Sequence, residues 1–520
     1  MSVMRIDVSA ATALFQRRRE ACALEKKSGF NEVFVISMGV TFAVVLWGFL
    51  MPVGFGNFAT SLFNFLVNNF GWGYMLAMNI FVVFPIFLAL SKYRNIKLGP
   101  PDSKPEFSNF SWFAMLFSAG MGVGLVFYGV GEPVFHFLSP PTAEPGTAAA
   151  AAEAMRKSFF HWGIHPWASY AIIAMPLAYF QFRKGYPGLI SSLFIPLVGE
   201  EGVKGGFGKA VDILAIFATV AGIATSLGLG VLQINSGLNY LFGISSTVTA
   251  QLMIIIVLAL IYTGSAVAGI EKGIKRVADS NLYIALTLLG LLFLIGPTIS
   301  ILETWLSTFG DYLSSLVRDS FMLAPNDEKY KSWLNGWTIF YWAWWIAWAP
   351  FVGSFIARIS KGRTIREFVL GVLIVPALGS FTWFAVFGTS ALHIELSGIG
   401  DLATKVAADI STGVFEMYSY YMLGGIMSVI MVVLISTFFI TSANSATFVL
   451  SMYSTRGDLN PPKGKMAIWG FLQAALAFVL LMTGGLQNLQ IVSIAAAAPF
   501  TIVMVLACWS MMKGLGQEHS

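Results

Sequence analysis

Five tryptophans, Trp337, Trp342, Trp344, Trp345 and Trp348, crowd into twelve residues of WTIFYWAWWIAWAPF. At 100° per residue, Tyr341, Trp345 and Trp348 fall within about 60° of one another on a helix, with Trp344 beside them. A second aromatic group, Trp162, Trp167 and Tyr170, stands in FHWGIHPWASY, interrupted by Pro166. The negative π faces of such rings attract a quaternary ammonium, by up to roughly 2 kcal/mol per desolvated ring. Either stripe alone is equally the mark of bulky helix packing. Their pairing points to a box for a methylated organic cation.

Two further patterns concern a small cation. SAGMGVGLVFYGVGEP places Gly120, Gly122, Gly124, Gly129 and Gly131 within a dozen residues. Each glycine costs a helix about 0.5–1 kcal/mol against alanine, so the segment is expected to unwind or to be approached very closely. Freed carbonyls at membrane depth can hold a cation; the alternative is close packing of small residues. In STFFITSANSATF, Phe438, Thr441 and Ser442 share one face at i, i+3 and i+4, with Thr437 and Ser445 nearby. Hydroxyl and carbonyl oxygens suit Na⁺, although Ser and Thr also bond back to their own helix.

The remaining chemistry is sparse. His136, His161, His165, His393 and His519 show no metal-ligand or triad spacing, and the His161/His165 pair lacks a third ligand. Glu132 and Asp212 are the ionisable groups that fall in apolar segments, too few for a proton relay. Cys22 and Cys508 make neither a disulfide framework nor a metal site.

These residues must be positioned by membrane helices. With 57% hydrophobic residues, 11% charged residues and a mean hydropathy of +0.74, the 520-residue chain is too apolar for a soluble enzyme. Apolar segments lie near 31–52, 71–91, 110–131, 157–182, 210–238, 249–269, 280–300, 335–357, 367–392, 418–450, 466–483 and 486–512. Twelve spans are expected. Most of the 31 Lys and Arg fall in the head and the even-numbered connections, which puts both termini in the cytoplasm. The net charge of +5 is therefore topological, and a nucleic-acid role is excluded. The organisation expected is a cytoplasmic segment 1–30, one transmembrane domain 31–512 and a short tail 513–520. Residues 301–322 read as an amphipathic helix at the outer interface, its apolar residues opposite Glu303, Asp311 and Asp319. AEPGTAAAAAEA at 143–154 reads as a flexible or short helical lead-in.

Those segments, together with FATVAGIATSLGLGVLQI and FFITSANSA, resemble the betaine/choline/carnitine transporter family over nearly the whole chain. The resemblance implies an all-α membrane protein: two extra helices, then two inverted five-helix repeats formed by spans 3–7 and 8–12, assembled as a homotrimer. It implies a substrate box of Trp162, Trp167, Tyr170 and Trp345 with Trp344 and Trp348 beside it, the backbone of Gly120, Met121, Gly122 and Gly124, and aromatic gates at Phe127 and Phe340. A sodium site would use Ser118, Met121, Phe438, Thr441 and Ser442. The family's second sodium site would use Thr219, Tyr170 and Phe351 with a threonine where Ile223 stands; Ile223 offers no oxygen, which points to one coupled ion. Leu282 stands where exchangers of the family carry an arginine, disfavouring sodium-independent exchange. Glycine at Gly124, where choline carriers tend to have Asp, favours a zwitterion: glycine betaine first, then carnitine, dimethylsulfoniopropionate or ectoine. The tail GLGQEHS is shorter than the charged tail of osmosensing members. A bacterial inner membrane is the expected location, and no organic cofactor or enzymatic activity is implied. A small-cation channel and a proton-coupled or exchange-type carrier are the competing readings.

Overall fold

The computed structural model describes residues 31–120, 122–269 and 271–518. The head 1–30 with Cys22, and also Met121 and His519, lie outside the described residues.

No strand occurs among the described residues; the chain is a bundle of helices in the order α1 Glu32–Leu50, α2 Pro52–Leu90, α3 Asn109–Gly120, α4 Val123–Leu138, α5 Ala148–Trp162, α6 Ile164–Ala178, α7 Ile195–Lys204, α8 Gly206–Phe242, α9 Val248–Ala268, α10 Glu271–Ile295, α11 Thr298–Phe321, α12 Glu328–Leu334, α13 Phe340–Ile359, α14 Ile365–Leu396, α15 Leu402–Ala408, α16 Gly413–Tyr418, α17 Gly424–Tyr453 and α18 Lys463–Gly516. Local signals set the ends. The Asn31 side chain accepts from Phe34 N at 2.8 Å to start α1, Thr364 and Glu367 form a capping box at α14, and Gly243 and Gly269 close α8 and α9 at φ 69° and 71°.

Among the described residues, nine helices are long and apolar enough to cross a membrane, or ten when α3 and α4 count as one bent span. One boundary differs from the sequence reading. Helix α2 begins at Pro52, not near residue 71; the uncharged stretch 52–70 has proline in the first turn, where it is tolerated, and nothing stops the helix before Ser91. Of the two readings of the alanine-rich lead-in the helical one holds: Thr147 caps α5, and Ala150, Ala151, Glu153 and Ala154 are buried in it. The last two expected spans lie in α18 on either side of a break at Gly485, which is non-helical at φ 57° and ψ −136°.

The amphipathic helix α11 is present, and the departure from the expected faces is Asp319, which is buried. Ile301, Thr308, Tyr312, Ser315 and Asp319 turn inward, whereas Leu306 and Val317 are 69% and 72% exposed. In a lipid setting the apolar face is the outward one. Asp319 is clamped to Arg156 of α5, with Lys157 at 3.5 Å.

The core is built on α8, which packs against α18, α17 and α13, while α6 packs along α13 and α4 lies between α5 and α14. Helices α1, α9 and α10 lie at the periphery, with most of their apolar side chains outward. The aromatic segments therefore sit in the middle of the bundle.

Candidate functional site

The glycine segment breaks where expected. Helix α3 ends at Gly120, Gly122 is extended at φ −144° and ψ −169°, and the two halves bend by 66°. The later glycines serve close approach instead. A Cβ on Gly124 would lie 2.5 Å from Trp344 Cη2, on Gly129 2.5 Å from Trp383 Nε1, and on Gly131 2.4 Å from Ile410 Cγ1. Both readings of the segment thus hold, in different parts of it. A second break separates α5 from α6 at Gly163, three residues before Pro166, which sits in the first turn of α6. At Gly163 a Cβ would meet Phe159 O and Tyr312 Oη, each at 2.7 Å.

These breaks deliver rings from three elements to one place. Trp162, the last residue of α5, lies 4.8 Å from Trp345 between ring centres, edge to face, and Trp345 stacks on Trp344 at 4.9 Å. Tyr170 closes on Trp345 at 6.4 Å and carries Trp167 at 5.6 Å. Phe340 stacks on Trp344 at 5.5 Å, and Phe127 lies 5.0 Å from Tyr128. All are buried. The Trp345 Nε1–H donates to the His161 carbonyl, two residues before the break, at 3.1 Å. The buried Trp344 Nε1 has no acceptor within the protein. Trp348 is the exception: its Nε1–H donates to Gly222 O at 2.8 Å and its ring meets Phe351 at 5.5 Å, which turns it toward α8. The rings touch one another, so cavities open elsewhere, one lined by Arg156, Asp311 and Arg318 and another by Asn64, Glu328 and Asn335.

Two residues at the centre were not singled out as box residues in the sequence. Tyr128 touches Trp162 at 6.4 Å, Tyr341 at 5.4 Å and Trp344 at 6.0 Å. One turn later, Glu132 is wholly buried and is met from four sides. His161 Nδ1 lies 2.6 Å and His136 Nε2 3.3 Å from Oε1; Trp162 Nε1 lies 2.9 Å and Tyr341 Oη 2.5 Å from Oε2. Sequence spacing missed this assembly because His136 and His161 come together only across two helices; the signal present was Tyr128, Glu132 and His136 at i, i+4 and i+8. The third partner that His161 lacked in sequence is thus supplied. Glu132, His136 and His161 offer three potential metal-ligand atoms close together. However, the Trp333 Nε1–H donates to His136 Nδ1 at 3.2 Å, which leaves Nε2 carrying the proton toward Glu132. Oε1 and His161 Nδ1 are also at hydrogen-bond length, too close to be two ligands of one ion.

The hydroxyl face of α17 is partly buried. Thr441 Oγ1 donates to Thr437 O and Phe438 O at 2.9 and 3.1 Å, and Asn281 Nδ2 of α10 reaches it at 3.4 Å. Phe438 is buried, while Ser442 and Ser118 are half-buried. Helix α3, which carries Ser118, packs against α14 and α13, whereas α17 meets α4 beyond the break. Met121, the other expected backbone ligand, lies outside the described residues. Thr219 Oγ1 is occupied with Ala215 O at 2.8 Å, and Ile223 fills the next turn, buried.

The chain matches the betaine/carnitine/choline transporter family over residues 32–520. It is 48% identical to the glycine betaine transporter of Bacillus subtilis over 490 residues, covering 94% of this chain and 95% of that one. It is 46% identical to a probable glycine betaine transporter of Desulfitobacterium hafniense, with 94% and 98% covered. With the ectoine/hydroxyectoine transporter of Virgibacillus pantothenticus it shares 43% identity, with 96% and 99% covered.

Proposed function

The chain belongs to the betaine/carnitine/choline transporter family, a family of carriers and not of enzymes, and on that premise we propose that it takes up a zwitterionic methylated onium, glycine betaine first, by sodium symport. One observation carries this: Trp162 and Tyr170 from the broken α5–α6 span and Trp344 and Trp345 from α13 are linked by ring contacts of 4.8 to 6.4 Å, the other three rings all reaching Trp345. Faces from several rings bind a methylated cation better than one. The partnerless Trp344 N–H suits the carboxylate at the other end of a zwitterion, and the tight Gly124–Trp344 contact leaves no room there for an aspartate.

The rings pack on one another in this conformation, so admitting a trimethylammonium head means parting Trp162 from Trp345. The breaks at Gly122 and Gly163 lie beside those rings and give α3–α4 and α5–α6 the freedom to do it, as alternating access requires. Twelve crossings follow if α5–α6 is one broken span and α18 is two spans meeting at Gly485; spans 3–7 and 8–12 are then the inverted repeats. The outward apolar face of α11 is available to lipid or to neighbouring copies in a trimer. Both termini face the cytoplasm of a bacterial inner membrane.

Thr441, Ser442 and the carbonyls of Phe438, Ser118 and Met121 form the proposed ion site, with the hydroxyl and carbonyl chemistry Na⁺ takes. One Na⁺ descending 100 mV supplies about 2.3 kcal/mol, and a tenfold gradient adds about 1.4, enough for an accumulation of roughly 500-fold with a neutral substrate. One ion suffices for osmolyte uptake.

The test is uptake of labelled glycine betaine into proteoliposomes, with and without a sodium gradient, against choline, carnitine, ectoine and a sulfonium analogue. Saturable uptake is expected, with a Hill coefficient for sodium near one. Non-saturable flux would indicate a channel, and uptake indifferent to sodium would remove the symport reading.

A further inference from the structure

Glu132 has no part in the carrier reading above, yet it is the most thoroughly hydrogen-bonded buried charge-bearing group in the bundle's centre. Each of its oxygens faces two partners, His161 and His136 at Oε1 and Trp162 and Tyr341 at Oε2. An indole N–H can only donate, and His136 is left donating by Trp333. These donors and the Tyr341 O–H, with His161 assigned the tautomer that carries its proton on Nδ1, fill the lone-pair sites of a carboxylate that accepts and does not donate. None of the four partners is an arginine or a lysine; Lys157, one turn before His161, is taken up by Asp319 at 3.5 Å and Tyr330 at 2.9 Å. The negative charge is therefore fixed in place without being cancelled.

Two of those partners are rings of the box. Trp162 contacts Trp345, and Tyr341 stacks on Trp345 at 5.7 Å and lies 6.2 Å from Trp344. A carboxylate pulling on the indole N–H and the phenol O–H pushes electron density back into both rings, so their faces become more negative where a cation would lie. The same charge sits in a water-poor site, where a unit charge acts over several ångströms.

We infer that Glu132 is a positioning and specificity residue: it holds Trp162 and Tyr341 together and supplies, through their rings, the fixed negative counter-charge for the onium head of the substrate. This rests on the proposed onium transport and adds to it a source of charge selectivity. The carboxylate favours the methylated cation and opposes the substrate's own carboxylate, so it must weigh more for a carboxylate-free cation than for a zwitterion.

The experiment measures binding of tetramethylammonium and of glycine betaine to purified full-length protein by quenching of tryptophan fluorescence, in wild type, Glu132→Gln and Glu132→Asp. Both substitutions disturb the fitted geometry; only Gln removes the charge. In Glu132→Gln, affinity for tetramethylammonium is expected to fall about tenfold, the scale of one interior charge at this range, and that for betaine about threefold. In Glu132→Asp both should fall by similar factors, keeping their ratio within about twofold. Equal losses in Glu132→Gln would overturn the inference and leave Glu132 a structural hub. If Glu132→Gln fails to fold, Tyr341→Phe carries the test: it cuts the hydrogen bond through which the carboxylate enriches that ring, so preference for tetramethylammonium should fall about twofold, and an unchanged ratio is fatal. Wild type that binds tetramethylammonium but not betaine would sink the zwitterion reading while leaving the counter-charge testable in the variants; wild type that binds neither sinks both.

Discussion

Two carboxylates, Glu132 and Glu518, are each surrounded by donors, and they are surrounded differently. Glu132 lies among His161, His136, Trp162 and Tyr341 in the middle of the bundle. Glu518, just past the end of α18, is held by Arg183 at 2.5 Å, Lys184 at 2.5 Å and Tyr179 Oη at 3.0 Å. Two cations cancel the charge of the second, which makes it a tie between the tail and the end of the α6 segment. The partners of the first include neither arginine nor lysine; they orient it and leave its field intact. The contrast separates a charge used as a fastener from a charge presented to a ligand.

The largest way to break that contrast is to remove the ring that reports Glu132 to the box. Trp162→Ala deletes one face of the onium site and orphans a lone pair on Oε2. Betaine affinity is expected to drop by 30-fold or more, about 2 kcal/mol or above, read as the concentration giving half-maximal uptake. Trp162→Phe keeps a face but loses the N–H, so a fall of only about 5- to 10-fold is expected. Equal defects in the two would mean that the hydrogen bond to Glu132, and not the ring, is what matters.

Next in size is Gly124→Ala. The added methyl would lie 2.5 Å from Trp344, and a buried indole stacked on Phe340 and Trp345 cannot yield without moving both. Overpacking of this kind costs roughly 1–3 kcal/mol. Transport at low betaine should fall about tenfold, whereas Gly310→Ala on α11, where nothing lies within 4 Å, should leave it unchanged. A normal Gly124→Ala carrier would show that the Trp344 contact loosens in the working cycle.

Much of this centre was legible in the sequence, and the parts that were not have a common cause. Glycine density forecast the break at Gly122, and aromatic density forecast Trp162, Tyr170, Trp344 and Trp345, because a helix or its failure is a local matter. Trp348 shared a face with Trp345 by period alone, yet faces Gly222; the angle on one helix cannot say which neighbour occupies that sector. Glu132 was visible as an ionisable group in an apolar span, but its partners come from residues 29 and 209 positions away, beyond any spacing rule. Asp319 was assigned to water by its charge and turned inward because Arg156 awaited it. The sodium set stays a family expectation for Ser118 and Met121, since nothing in their spacing fixes how α3 meets α17.

The smallest effect belongs to the fastener. Arg183 and Lys184 hold the Glu518 carboxyl down at about 2, against an ordinary value of 4.5. A carboxyl whose folded value is depressed contributes stability fully above its unfolded value; the contribution fades as pH falls from about 4.5 toward 2. Because the pairs lie at the protein's edge, partly in solvent, the net contribution is about 1 kcal/mol, well short of what the shift alone implies. Glu518→Gln is therefore expected to lower the melting temperature at neutral pH by about 1–2 °C. It should also flatten the loss of stability on the acid side of pH 4.5. Because Arg183 also donates to Gly99 O at 3.2 Å, the tie joins the tail to the loop before α3 as well. Freeing it should change the maximal uptake rate by no more than about two- to threefold, with betaine affinity and the tetramethylammonium-to-betaine ratio unmoved. A shift in that ratio would show that the field of Glu518 reaches the box, and the division between a fastening charge and a presented one would fail.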